Sequence, residues 1–192
     1  MTKKIFIDFK QIKNDIKILA NEIIHSKFNY QAIIAITGGG LVPARLLRNY
    51  LNIPIFCVNI KYYDKNDNIL KNPVIVQWLS TSEINSLKKK NILIVDDLND
   101  TGSTINLVVD LLCNTYTNKI KPVNFNHLGV AVLYDKLKNK NKLSESISYY
   151  KTKDIGDNWI VFSLGINYTI ILLIALFKIL FIGVSGSHLS HN

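Results

Sequence analysis

The chain has 192 residues, 48% of them hydrophobic and 19% charged, which excludes a disordered or collagen-like polymer and suits one domain with a sizeable core. Its formal charge is +9, and 21 of its 23 basic residues are lysine, Arg45 and Arg48 being the exceptions. Such a lysine-rich surface is solvated and attracts small polyanions, while the shortage of arginine argues against base readout, so no nucleic-acid partner is expected.

Met1-Thr2-Lys3-Lys4 is followed by only five residues, Ile5 to Phe9, before Lys10. That is no secretory signal, and the expectation is a cytoplasmic chain. Cys57 and Cys113 form no CxxC pair and have no cationic neighbour in sequence; both are expected to be reduced thiols in the core. Ile12, Ile16, Leu19 and Ile23 recur at helical spacing, so residues 10 to 27 are predicted to form an amphipathic helix. Ala32 to Ile36 is an apolar run ending at Gly38-Gly39-Gly40, which suits a buried strand feeding a tight loop. Leu41 to Leu51 is predicted to be helical, and Ile55 to Ile60 a second buried strand. Residues 61 to 73 are polar and read as a mobile excursion or hairpin, the natural lid of a site. Next come a strand at Ile92 to Val95, a helix opening at Gly102-Ser103-Thr104, and strands at Leu128 to Tyr134 and Trp159 to Phe162. Strands alternating with helices give an α/β fold, a mostly parallel sheet covered on both faces.

The chemistry concentrates in Ile92 to Thr104, ILIVDDLNDTGST. A hydrophobic strand delivers Asp96 and Asp97 to its C-terminal end, the ligand edge of an open α/β sheet. Asp100-Thr101-Gly102-Ser103-Thr104 then supplies a turn with hydroxyls at a helix N-terminus, where backbone N–H groups suit a phosphate. A phosphate site beside three carboxylates would defeat itself unless something else needs the carboxylates. Ribose hydroxyls and Mg²⁺ do, since both take hard oxygen partners. The pattern therefore describes a phosphorylated sugar with a metal. Tyr62-Tyr63 reads as packing at a loop edge, His127 as a residue without a second metal ligand, and Lys88-Lys89-Lys90 as a solvated turn.

This stretch closely resembles the phosphoribosyl-pyrophosphate (PRPP) signature of the type I phosphoribosyltransferases. Three further segments resemble the xanthine/guanine/hypoxanthine branch: Thr37 to Arg45 (TGGGLVPAR), Ala131 to Lys136 (AVLYDK) and Asp157 to Phe162 (DNWIVF). The resemblance covers roughly residues 5 to 162 and implies a phosphoribosyltransferase fold with a small hood. It implies that Asp96 and Asp97 bind the ribose hydroxyls, with Asp97 the metal ligand, and that Asp100 is the general acid/base beside the purine. Thr101, Gly102, Ser103 and Thr104 would hold the 5′-phosphate, and Gly38 and Gly39 would present backbone to the pyrophosphate. Lys136 would donate to a purine 6-oxo group, with Trp159 and Ile160 bracketing the base. The implied activity is transfer of the phosphoribosyl group from PRPP to guanine, xanthine or hypoxanthine in purine salvage, with Mg²⁺, by a homo-oligomer.

Four departures stand against the family pattern. Gly38 takes the place of a basic residue, only Lys61 and Lys65 are available where the lid often carries an arginine, and Leu137 replaces a common proline. Past Phe162 the chain reads Ser163-Leu164-Gly165 instead of Pro-Trp-Glu. Gly38 and the altered end favour the alternative, a regulator of the same fold that senses PRPP or a nucleotide with little catalysis; Asp96, Asp97 and Asp100 favour the enzyme. A pyrimidine acceptor is disfavoured by Lys136 and Trp159-Ile160. Beyond the resemblance, Tyr168 to Val184 is a 17-residue apolar run broken only by Lys178. As a helix it would span about 25 Å against a hydrocarbon core of about 30 Å. The expectation is a phosphoribosyltransferase domain over 1–162 and a non-family appendage over 163–192, whose residues 168–184 are read as associating with a membrane, with packing into the core as the alternative.

Overall fold

The computed structural model describes residues 4–63, 69–113, 122–140 and 142–163. In chain order these form β1 (Lys4–Asp8), α1 (Phe9–Ile24), β2 (Ala32–Ile36), α2 (Leu41–Leu51), β3 (Ile55–Tyr63), β4 (Ile69–Gln77), α3 (Thr81–Leu87), β5 (Asn91–Asn99), α4 (Ser103–Cys113), β6 (His127–Lys136), β7 (Ser148–Ile155) and β8 (Trp159–Ser163). Six strands make one sheet in the order β4-β3-β2-β5-β6-β7, parallel throughout except for the antiparallel β3–β4 pair. A second, parallel pair joins β1 to β8, with Lys4 opposite Trp159 and Asp8 opposite Ser163.

Why the central strands lie flat between two layers follows from their composition. β2, β5 and β6 are apolar on both faces, so alternate residues enter different cores. Ile33, Ala35, Leu93, Val95 and Leu133 pack beneath α1 and α2, where Ile12, Ile16, Leu19 and Leu47 are buried. Ile34, Ile92, Ile94, Val130 and Val132 meet Ile105, Val108 and Leu112 of α4 on the other face. α1 starts where the side chain of Asp8 accepts the Gln11 N–H at 2.7 Å. It ends at Ile24, three residues short of the predicted boundary, because His25 caps it by donating its N–H to the Asn21 carbonyl. One buried carboxylate, Asp15, ties this layer to the sheet: it accepts from the Tyr134 hydroxyl and from Gln11 Nε2, and pairs with Lys153 at 3.3 Å.

The polar stretch at 61–73 is a hairpin in which β3 runs on to Tyr63 and β4 begins at Ile69. β1, α3 and β7 are additions to the sequence reading. Cys113 corrects it: the thiol sits on the exposed side of α4 and Cys57 is half-buried, so Cys113 is no core residue. Residues 168–184 lie outside the described residues, among which no helix is long and apolar enough to cross a membrane.

Topology places the site. From β2 the chain moves outward to β3, whereas β5 lies on the other side of β2 and leads on to β6. The connections from β2 and β5 therefore diverge to opposite sides, opening a crevice at their carboxyl ends. The Gly38–Gly40 turn and the Asp96–Thr104 segment both sit there.

Candidate active site

The floor of the crevice is made by β5 and the first turn of α4. β5 carries its apolar run through Val95 and then presents Asp96, Asp97 and Asn99 before turning at Asp100. Gly102 has φ of 79°, a left-handed conformation that a side chain would disfavour, and it lets the chain swing into α4. Thr101 Oγ1 donates to Ser103 Oγ at 3.0 Å. The Gly102 carbonyl accepts the Asn106 N–H and the Asn106 side chain, both at 2.9 Å, which fixes the first turn. The result is a small concavity of about 60 Å³ under residues 100–104, with the N-terminal N–H groups of an 11-residue helix at its base. Tyr62 spans to it from β3, donating its hydroxyl to the Ser103 carbonyl at 2.9 Å. The expected packing residue is thus a tie between the hairpin and this turn.

Facing it is the turn after β2. Gly38 has φ of 97°, and Gly39 passes so close to the Asp97 carboxylate that any Cβ there would overlap it. Backbone is brought against an acidic side chain with nothing between. A cavity of about 90 Å³ lies here, lined by Gly38, Gly39, Asp97, Pro43 and Phe162.

Electrostatically the two acidic groups differ. Burial pushes the Asp96 carboxyl well above the usual range, and the neighbouring Asp97 charge pushes the same way. Asp97 is also raised by burial, against a hydrogen bond with Asp96 and its own and the Leu98 N–H groups. No ion pair with lysine or arginine relieves either carboxylate among the described residues. Adjacent, desolvated, unpaired carboxylates fit a hard divalent cation, whose charge would remove the repulsion. No cluster of three or more His, Cys, Asp or Glu exists among the described residues, so such a cation would complete its shell with ligand or water oxygens.

Asp100 lies in the opposite situation. Burial pushes its carboxyl up, but the ammonium groups of Lys138 and Lys136 outweigh burial and hold it below the usual carboxylate range. Lys136 Nζ is 3.2 Å from Asp100 Oδ2 and 3.2 Å from Asp157 Oδ1. Lys138 pairs with the other Asp100 oxygen and is 3.3 Å from Asp157 Oδ1. The ends of β5 and β6 and the loop before β8 are thereby joined by charge.

Of the residues singled out from sequence, Gly38, Gly39, Asp96, Asp97, Asp100, Thr101, Gly102, Ser103, Thr104 and Lys136 all stand at this one sheet edge. Trp159 is 63% exposed, while Ile160 is half-buried. Lys138 is not singled out by the sequence, and Tyr62 reads there as packing. The available signal was the Lys136-x-Lys138 alternation, which puts two cations on one side of extended chain. His127 stacks on Phe28 with centroids 3.4 Å apart and meets Ser148 Oγ at 3.0 Å.

Residues 7–169 match the family of the phosphoribosyl transferase domain. The chain is 34% identical to the hypoxanthine-guanine phosphoribosyltransferase of Schizosaccharomyces pombe over 73% of this chain and 79% of that protein. Two solved structures are similar in fold. A hypothetical protein from Neisseria gonorrhoeae with bound ppGpp superposes with a TM-score of 0.75 at 35% identity, over 91% of this chain and 98% of that one. The purine phosphoribosyltransferase from Pyrococcus horikoshii gives 0.60 at 27% identity, over 83% and 92%. With a family match over residues 7–169 and a purine phosphoribosyltransferase 34% identical over 73% of the chain, the chain belongs to the phosphoribosyltransferases, in their purine branch.

Proposed function

We propose that the protein joins a 6-oxopurine (guanine, xanthine or hypoxanthine) to the ribose of PRPP, releasing pyrophosphate and giving the nucleoside monophosphate. The observation that carries this reading is the meeting of three parts at one sheet edge: the Gly38–Gly39 backbone against Asp97, the Thr101–Thr104 concavity, and the Asp100–Lys136 pair. Thr101 to Thr104 take the 5′-phosphate through hydroxyls and helix N–H groups. Gly38 and Gly39 offer backbone to the pyrophosphate, and Asp96 and Asp97 hold the ribose hydroxyls. Asp97 is the residue to hold Mg²⁺, which when bound would stabilise charge on the leaving pyrophosphate. Breaking the bond at C1 builds positive charge on the sugar, and nearby carboxylates stabilise it. Asp100 handles the one purine proton that must move, and Lys136 fixes the base by donating to its 6-oxo oxygen. Trp159 and Ile160, carried on β8, bracket the base.

Product formation with PRPP, Mg²⁺ and each purine in turn tests the reading. Turnover with 6-oxopurines and rejection of adenine are expected, because adenine carries an amino donor at position 6, where the buried ammonium needs an acceptor. Equal rates with adenine and guanine would remove Lys136 from the base site. The ppGpp in the gonococcal structure supports a second ligand for the same crevice, a guanine nucleotide bearing a diphosphate, tested by competition against PRPP. The reading extends to a cytoplasmic homo-oligomer. For residues 163–192 it keeps membrane association, supported by the apolar run at 168–184. Vesicle pelleting of the full chain that a truncation after Ser163 abolishes would support it, and a full chain that leaves vesicles in the supernatant would end it.

A further inference from the structure

We infer that Lys138 is a positioning residue for Asp100: it keeps that carboxylate ionised and in place when Lys136 turns to the base. The inference rests on the reading above, in which Asp100 manages the purine proton and Lys136 meets the 6-oxo oxygen. Its ground is the arrangement of four charges. Each oxygen of Asp100 has its own lysine, Lys136 on Oδ2 and Lys138 on Oδ1, and both lysines also reach Asp157 Oδ1. The Lys136 side chain is nearly buried, whereas that of Lys138 is 27% exposed at the mouth.

A buried ammonium that already serves two carboxylates has one donor left for an incoming base, and taking on that third acceptor spreads its charge over three partners. Were Lys136 the sole cation, one ammonium would serve Asp100, Asp157 and the base together, and the ionised form of Asp100 would be held more weakly. Lys138 prevents this by remaining on both. The chain is built to put it there. The Leu137 N–H donates to the Ile155 carbonyl at 2.7 Å, which turns the Leu137 side chain to solvent and returns Lys138 to the side of Lys136. The charged groups facing Asp100 are Lys136 and Lys138 from the end of β6 and Asp157 from the loop before β8. Lys140, the next lysine, is engaged elsewhere, on Asp135 and the Asn99 carbonyl.

The test is the pH profile of kcat/KM for the purine in the full chain, for wild type, Lys138→Met, Lys138→Arg and Asp100→Asn. Loss of one cation raises Asp100, so Lys138→Met should move the acidic limb upward by about half to one pH unit, with kcat falling more than KM for PRPP changes. Lys138→Arg should restore the limb. Lys138→Gln, which keeps length and polarity, should repeat the shift if the Met variant folds poorly. An acidic limb unmoved in both neutral variants, while Asp100→Asn abolishes it, overturns the role of Lys138 alone. A limb that persists in Asp100→Asn overturns the reading of Asp100 itself.

Discussion

Asp97 and Gly39 show how one side chain and one missing side chain make a site together. The Gly39 backbone lies where any Cβ would strike the Asp97 carboxylate, so Gly39→Ala must displace the acid or the turn. The expected outcome is PRPP binding weakened by about ten- to a hundredfold with folding retained, measured by calorimetry. Asp97→Asn keeps the shape and removes the charge; PRPP binding should weaken and lose most of its Mg²⁺ dependence, and an unchanged dependence would move the metal elsewhere. His127 gives a prediction about stability. Burial, with the Lys27 charge behind it, holds its imidazole below the ordinary value of 6.5. Well above pH 6.5 it is neutral folded or unfolded and contributes nothing. As pH falls through 6.5 the unfolded chain takes up a proton that the folded chain resists, so stability declines. Thermal melts between pH 7.5 and 5.5, taken as about the span of histidine titration, should show a shallower decline in His127→Gln than in wild type. At this scale the acidic and glycine residues were legible, because Asp96-Asp97 and Gly38-Gly39 have few other uses where a buried strand ends. Lys138 was not, because one lysine among 21 carries no sign of which carboxylate it faces.

Among the elements, those with a strong apolar period were readable and the half-polar ones were not. β7 reads Ser-Tyr-Tyr-Lys-Thr-Lys-Asp-Ile, which looks like a surface loop. It forms a strand because β6 offers it a full edge, Tyr150 enters the core, and Lys151 and Lys153 find Asp135 and Asp15. α3 is short, yet Ser80-Thr81-Ser82-Glu83 spells its start: the Ser80 hydroxyl accepts the Glu83 N–H at 3.3 Å and the Glu83 carboxylate accepts the Ser80 N–H at 2.7 Å. Ser80→Ala should lower stability by about 1 kcal/mol in chemical denaturation, with turnover unaffected. Tyr62 is the tie between two elements, β3 and α4. Tyr62→Phe keeps the ring and deletes the bond to the Ser103 carbonyl, so KM for PRPP should rise several-fold while kcat holds. A change confined to kcat would place Tyr62 in the chemistry rather than in support of the phosphate turn.

For the molecule as a whole, charge and topology act together. The chain carries +9, and its ligand edge holds unpaired carboxylates at the floor of the crevice. PRPP is a polyanion, so the lysine surface should speed its arrival, and the association rate should fall with added salt more steeply than the dissociation rate rises. Stopped-flow binding from about 10 Å screening conditions downward, near 0.1 M salt and above, would read this; a salt-insensitive association rate would leave the lysines as solvation only. The α/β class followed from the alternation of strands and helices, and the ligand edge from two carboxylates at the end of an apolar strand; the divergence between β2 and β5 did not, because the order of strands in the sheet is not written along the chain. The β1–β8 pair did not follow, because Lys4–Asp8 and Trp159–Ser163 are each five residues long and meet only through the closed fold.

That pairing gives the crevice an uneven history. β8, which carries Trp159, is synthesised after every other described strand, yet its partner β1 is the first strand made. The Thr101–Thr104 concavity draws on no residue of β8, whereas the cavity at Gly38 and Gly39 takes Phe162 from it and Trp159 rides on it. Lys4 stands opposite Trp159, so an extension joined to the amino terminus enters the chain through the strand that pairs with the aromatic residue assigned to the base. Tagged and tag-free protein can then agree on PRPP and disagree on purine affinity, a discrepancy that would originate at the amino terminus of the chain.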